Sequence, residues 1–201
     1  MECQSWRISD TKRWYNFTTD IRLFHGTSSA LIPNILSQGL IPPLKNLHDR
    51  VSDAILAYGV IPTEKLMKKC EESWNGEGAV CLASSQINAA MYARHYKNGG
   101  ELNGLVKDGL QKALRRKIPD LYAADSVPVV LEIIVPIGYL EQYTLDAMRE
   151  TAIWMQTLEM SKTLRNRDLI IKGTKGGEIR ILNKITPVNI KRIMKVPKSY
   201  F

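Results

Sequence analysis

The sequence predicts an α+β domain, on three observations. Short apolar strand-like segments and amphipathic helical ones follow each other without the regular βαβ alternation of a doubly wound sheet. The strongest strand signal, "VPVVLEIIVPI" at 127–137, is β-branched, apolar and bounded by prolines. Neither GxGxxG nor GxxxxGK followed by Ser or Thr occurs, so neither a Rossmann nor a P-loop nucleotide site is supported.

Residues 21–25, "IRLFH", read as a short strand ending at His25. Ser28 or Ser29 is the expected cap of the next helix, and Pro33 sits in its first turn, where a missing N–H is tolerated. Leu31, Ile32, Ile35 and Leu36 give that helix an apolar face, and Gly39 stops it. "LIPP" leads out in extended form. Two helices are expected at 51–60 and 63–74, separated by Pro62. A turn over Asn75–Gly78 enters a strand at 79–83; Ser84 or Ser85 caps a helix over 86–96, and Gly99 and Gly100 end it. A basic amphipathic helix should cover 102–116, and a long helix 144–164. Strands at 168–172 and 178–183 flank the turn "GTKGG", and the end, "ITPVNIKRIMKVPKSYF", supplies one more.

With 201 residues and no repeat or low-complexity segment, one domain over 1–201 is expected, large enough for its own core. No apolar run approaches the roughly 20 residues of a membrane span, and "MECQSWRISDTKRW" has no signal-peptide h-region. Cys3, Cys70 and Cys81 are odd in number and irregularly spaced, and with three histidines they make no zinc pattern. A reducing, cytoplasmic setting and no metal are therefore expected. The net charge of +8 favours an anionic partner or a merely basic surface. Its clumping in "KALRRK" (112–117), "KTLRNRDLIIKGTK" (162–175) and "IKRIMKVPK" (190–198) points to a patch.

Three pieces carry chemistry. In "HGTSS", His25 can give a directed hydrogen bond, and Gly26 lets a ligand reach the backbone because no Cβ intervenes. In "AVCLASSQINAAMYARHY", Ala89, Tyr92, Ala93 and Tyr96 share a helix face, leaving a shallow recess beside an aromatic ring. In "KGGEIRILNKITP", Glu178 opens a strand and points the same way as Arg180. Each alone has an ordinary structural explanation: a satisfied histidine, an amphipathic core tyrosine, a solvated strand-edge charge.

Together, in this order, the three resemble the ADP-ribosyltransferase superfamily. The resemblance is to its histidine–tyrosine–glutamate branch, which holds the diphtheria-type toxins and the poly(ADP-ribose) polymerases. "LFHGTSS", "GAVCLASSQINAAMYA" and "GGEIRILNKITPVNI" stand at the branch's motif places and span from about residue 21 to the carboxyl end. The resemblance implies a split mixed β-sheet core with flanking helices, and NAD⁺ as co-substrate. It implies that Gly26 holds the nicotinamide carboxamide by its backbone N–H and C=O, His25 bonds a ribose hydroxyl, and Thr27 supports the loop. Tyr92 would stack on the nicotinamide, while Ala83, Ser84 and Ala89 fall at further cofactor positions. Glu178 would bond the nicotinamide-ribose 2′-hydroxyl and, with His25 and Tyr92, form the catalytic set. The carboxylate role is physically sound, because breaking the glycosidic bond develops oxocarbenium charge that a fixed anion stabilises.

Departures shape the acceptor expectation. Cys81 stands where polymerases carry a second tyrosine, and Ala89 where they carry a serine, so polymer elongation is not supported. The arginine-modifying branch has Arg, Ser-Thr-Ser and an acid or glutamine where this chain has His25, "ASS" and Gly176. Small stand-alone members include toxins and phage-defence or phage-encoded effectors that modify nucleic acids. The expectation is thus mono-ADP-ribosyl transfer to RNA or DNA, in a toxin held by an antitoxin protein. Lys112, Arg115, Arg116 and Arg180 are the acceptor-contact candidates. The rivals are a protein acceptor, NAD⁺-dependent RNA 2′-phosphotransfer, and a non-catalytic nucleic-acid-binding module.

Overall fold

The computed structural model describes residues 20–43, 46–72, 79–140, 146 and 179–198. Within them the chain is α+β. Strand β1 (Asp20–Ser28) pairs antiparallel with β3 (Pro128–Pro136), whose other edge pairs antiparallel with β5 (Ile190–Lys195). β2 (Val80–Leu82) and β4 (Ile179–Ile181) form a separate antiparallel ribbon. The resemblance implies a mixed sheet; every pairing between these strands is antiparallel.

β3 lies centrally because its Val/Ile run can be covered on both faces. Leu23, Leu131, Ile133, Val135, Ile181 and Ile193 build the main core on one face. On the other, Phe24, Val130 and Met194 pack with Ala83, Ala89, Ala90 and Ala93. Glu132 interrupts this apolar strand, 3% exposed, with Oε1 3.2 Å from Arg22 Nε and Oε2 3.8 Å from Arg192 Nε. The two guanidinium groups compensate the carboxylate inside the sheet layer.

The helices follow their caps. Ser28 Oγ accepts from Ala30 N ahead of a 3₁₀ turn and α1 (Ile32–Gln38), which carries Pro33 in its first turn. α1 ends at Gly39, whose φ of 84° suits glycine and whose missing Cβ admits the Ile185 carbonyl. The Leu40–Ile185 bridge then ties this exit to the segment after β4. α2 (Leu47–Ala57) is capped by Asn46, whose Oδ1 accepts from Asp49 N at 2.8 Å. Thr63 caps α3 (Glu64–Glu71). With α5 (Glu101–Leu114), these two helices enclose a second core of Val51, Ile55, Met67, Cys70, Val106 and Leu110. The Tyr58 hydroxyl reaches Asn98 Oδ1 at 3.1 Å and the Asn103 carbonyl at 2.9 Å, tying α2 to the start of α5.

Some boundaries differ from the sequence reading. β1 does not stop at His25 but runs to Ser28, because Gly26–Ser28 find partners in Pro128–Val130. α2 starts four residues before the expected 51. The expected helix over 86–96 divides into α4 (Gln86–Tyr92) and a 3₁₀ stretch, Ala93–Asn98, with a kink at His95 (φ −87°, ψ 16°). Apart from residue 146, the expected helix at 144–164 lies outside the described residues, as do the strand at 168–172, the turn "GTKGG" and Glu178.

Candidate functional site

β1 and β2 touch through one bridge. Phe24 N donates to the Ala83 carbonyl (2.9 Å) and Ala83 N to the Phe24 carbonyl (2.7 Å). Past it, the described residues make no further backbone pairing between the two strands. The strands part there around a cleft of about 400 Å³, lined by His25, Gly26 and Thr27 on one side and Val80, Cys81 and Ala83 on the other. Leu31, Ile35 and Ile41 supply an apolar wall; Tyr92, Arg50, Glu101 and Leu102 complete the lining.

Gly26 has two consequences here. Backbone polar groups alternate between the two edges of an antiparallel strand. Those of Phe24 bond towards β2, so the N–H and C=O of Gly26, two residues on, face the same edge and open into the cleft. On the sheet face, a Cβ at 26 would overlap the Ala89 carbonyl oxygen and lie 2.8 Å from Ala93 N. The glycine therefore lets α4 sit directly on β1, which brings Tyr92, the last residue of α4, to the cleft wall.

His25 is fixed by its Nδ1, 2.9 Å from the Cys81 carbonyl. A carbonyl only accepts, so Nδ1 carries the proton and the neutral ring keeps its lone pair on Nε2. Burial lowers the pKa of His25 below the ordinary 6.5, with the Cys81 bond opposing more weakly. The ring is thus neutral at pH 7 and presents an acceptor, suited to a hydroxyl donor. The sign for stability follows. Between 6.5 and the lower folded value, the unfolded chain takes up a proton that the folded one does not, so stability is lost on acidification below 6.5. His95 is lowered too, by burial and then by Arg94, and adds to the same slope. His25→Asn, which retains a donor near the Nδ1 position, should flatten the fall in urea midpoint between pH 7.5 and 5.5. Equal slopes in variant and parent would refute the assignment.

The remaining sequence-derived residues divide. Thr27 and Ala83 are buried in the cleft wall. Ala89 is fully buried behind Gly26, and Ser84 is 2% exposed with no partner for its Oγ among the described residues; neither is among the residues that line the cleft. Ser85, not Ser84, caps α4, accepting from Asn88 N at 3.1 Å. Arg180 pairs across the ribbon with Cys81 and is half-buried. Lys112, Arg115 and Arg116 are exposed at the carboxyl end of α5, whereas its first residues, Glu101 and Leu102, line the cleft. Eleven residues at a helical rise put Lys112 roughly 16 Å along the axis from Glu101. The basic cluster is thus a helix length from the cleft, rather than beside it.

Sequence reasoning missed Arg50 and Glu101. Among the described residues lining the cleft, Arg50 is the one Lys or Arg and Glu101 the one carboxylate. Neither belongs to a motif, and the signal that marks them is tertiary: α2 and the start of α5 close over the gap between β1 and β2. Among the described residues no cluster of three His, Cys, Asp or Glu could hold a metal, and no helix is long and apolar enough to cross a membrane. Searches among family models, curated proteins and solved structures find no significant match to this chain.

Proposed function

We propose that the protein is a mono-ADP-ribosyltransferase that splits NAD⁺ at the nicotinamide–ribose bond and passes ADP-ribose to RNA or DNA. The observation that supports this most is the convergence of His25, Gly26 and Tyr92 in the lining of one cleft. A planar carboxamide needs one donor and one acceptor side by side, which a strand edge at a glycine supplies. The Tyr92 ring offers a stacking face for the pyridinium, and Nε2 an acceptor for a ribose hydroxyl. In the reaction the C1′–N bond breaks, and nicotinamide leaves neutral with the bonding electron pair. A nucleophilic oxygen or nitrogen of the acceptor then bonds C1′ and gives up its proton. Glu178 would stabilise the positive charge at C1′ and take or direct that proton.

The test is incubation with NAD⁺ labelled in the adenylate half, together with single-stranded RNA and DNA oligonucleotides and a protein lysate. Free nicotinamide and label on an oligonucleotide are expected. Label on proteins alone would overturn the acceptor, and absence of nicotinamide release would overturn the enzyme.

The exposed end of α5 makes a second expectation. If Lys112, Arg115 and Arg116 contact phosphates, the triple alanine variant should bind oligonucleotides more weakly. The slope of log K against log salt should also shrink by about 2, from the loss of three single-strand contacts. An unchanged slope in a fluorescence-anisotropy titration would remove these residues from the acceptor surface.

A further inference from the structure

We propose that Arg22 and Arg192, braced by the buried carboxylate of Glu132, form a site outside the cleft that holds a backbone phosphate of the nucleic-acid acceptor. The choice of polymer rests on the acceptor reading above; the site itself rests on the ion-pair geometry. By alternation and register, Arg22, Glu132 and Arg192 share the sheet face that carries Phe24, Val130 and Met194, and none is among the residues that line the cleft. Arg192 stands directly opposite Glu132 across β3 and β5, and Arg22 is its diagonal neighbour on β1. Each meets the carboxylate through Nε, at 3.2 Å for Arg22 and 3.8 Å for Arg192, so both cations gather at one spot.

Their donors are not used up there. A guanidinium has five N–H groups, and among the described residues neither arginine makes another ion pair or hydrogen bond. The two side chains are 25% and 53% exposed, which leaves them open to a ligand from solvent. Glu132, at 3% exposure, is screened from that ligand and acts by holding the arginines in place. Their rotamer freedom is thus reduced before a ligand arrives, which favours binding. Charge sets the sign of that ligand. Two guanidinium groups against one carboxylate leave one positive charge, which a phosphodiester balances, and arginine forks match phosphate oxygens. Residues 179–198 add Arg180, Lys184, Lys191, Lys195 and Lys198 and contain no acid. Asp20, two residues before Arg22, is exposed and pairs with neither arginine among the described residues. Arg22 precedes Gly26 by four strand residues, roughly 13 Å. A short single strand with its reactive nucleotide at the cleft spans that distance.

The experiment is anisotropy titration of labelled single-stranded RNA and DNA oligonucleotides over a salt series, with inorganic phosphate and an acidic peptide as further ligands. Arg192→Gln, which leaves Glu132 its closer partner Arg22, should weaken oligonucleotide binding fivefold or more. The slope of log K against log salt should fall by about 0.7, one single-strand phosphate contact. Arg192→Lys keeps the carboxylate paired and guards against a folding defect; it should keep the slope and lose about threefold in affinity, as a point charge without the fork. Parental affinity in either variant would overturn the site, as would a loss in Arg192→Gln with the salt slope unchanged. Arg192-dependent binding of inorganic phosphate or of the acidic peptide, with oligonucleotide binding unaffected, would overturn the choice of polymer. Arg192-dependent oligonucleotide binding by a parent protein that releases no nicotinamide would sustain this site and overturn the transferase reading.

Discussion

Glu178→Gln should reduce nicotinamide release by roughly a hundred- to a thousandfold while leaving NAD⁺ binding nearly intact. That range is what one preorganised electrostatic group typically contributes to a transition state. In the proposed reaction the substitution is nearly isosteric and removes only the charge, so a ground-state hydrogen bond to a ribose hydroxyl would persist. The oxocarbenium-like state loses its counter-charge, and kcat should fall far more than KM rises. Glu178 lies outside the described residues, but the strand that follows it is well anchored. Ile179 pairs with Leu82 and Arg180 with Cys81, on the ribbon whose Cys81 carbonyl holds His25. Steady-state kinetics with nicotinamide quantified by chromatography decide the matter. A variant retaining more than a tenth of parental kcat would remove Glu178 from the chemistry.

Gly26→Ala is the second large effect, and it should appear in stability before activity. The new methyl would enter the Ala89 carbonyl oxygen, a backbone atom that no rotamer change can move aside. Either α4 lifts from β1 or β1 bends away from β3; both open the layer of Phe24, Ala89, Ala93 and Val130. A destabilisation of about 3 kcal/mol is expected, at the upper end for an inserted methyl group. Urea unfolding measures it. Ala89→Gly should give no rescue in the double variant, because the obstructing atom is not in the Ala89 side chain. A loss under 1 kcal/mol, or full rescue, would show that the close approach of α4 is not what requires glycine.

These two cases mark how much could be read from the amino-acid order. Local chemistry was legible: Ser28 caps, Gly39 stops a helix, and the proline-bounded run at 127–137 is the central strand within a residue at each end. What was illegible depended on distant partners. β1 extends past His25 only because β3 lies alongside it. The helix of Tyr92 breaks at His95, whose ring packs where a Cβ at Gly104 would be, a contact with α5 that periodicity within 86–96 does not encode. The Asn46 cap was overlooked because the hydrophobic run of α2 starts at Leu47, ahead of the stronger pattern from Val51 onward. For the site, motif order pointed to His25, Gly26, Thr27 and Tyr92, which share one cleft. It could not point to Arg50, because a solitary arginine on an amphipathic helix resembles any solvated surface charge until the helix is folded over a gap.

The carboxylate at the midpoint of the central strand has a consequence for how the chain finds its pairing. Side chains alternate strictly between sheet faces, so sliding β3 by one position would thrust Glu132 into the aliphatic layer of Leu23 and Ile181, away from both guanidinium groups. An ion stranded in hydrocarbon is penalised far more than a misplaced valine. One acidic residue among eight apolar ones thus works as an indexing notch, leaving a single alignment of the three strands acceptable.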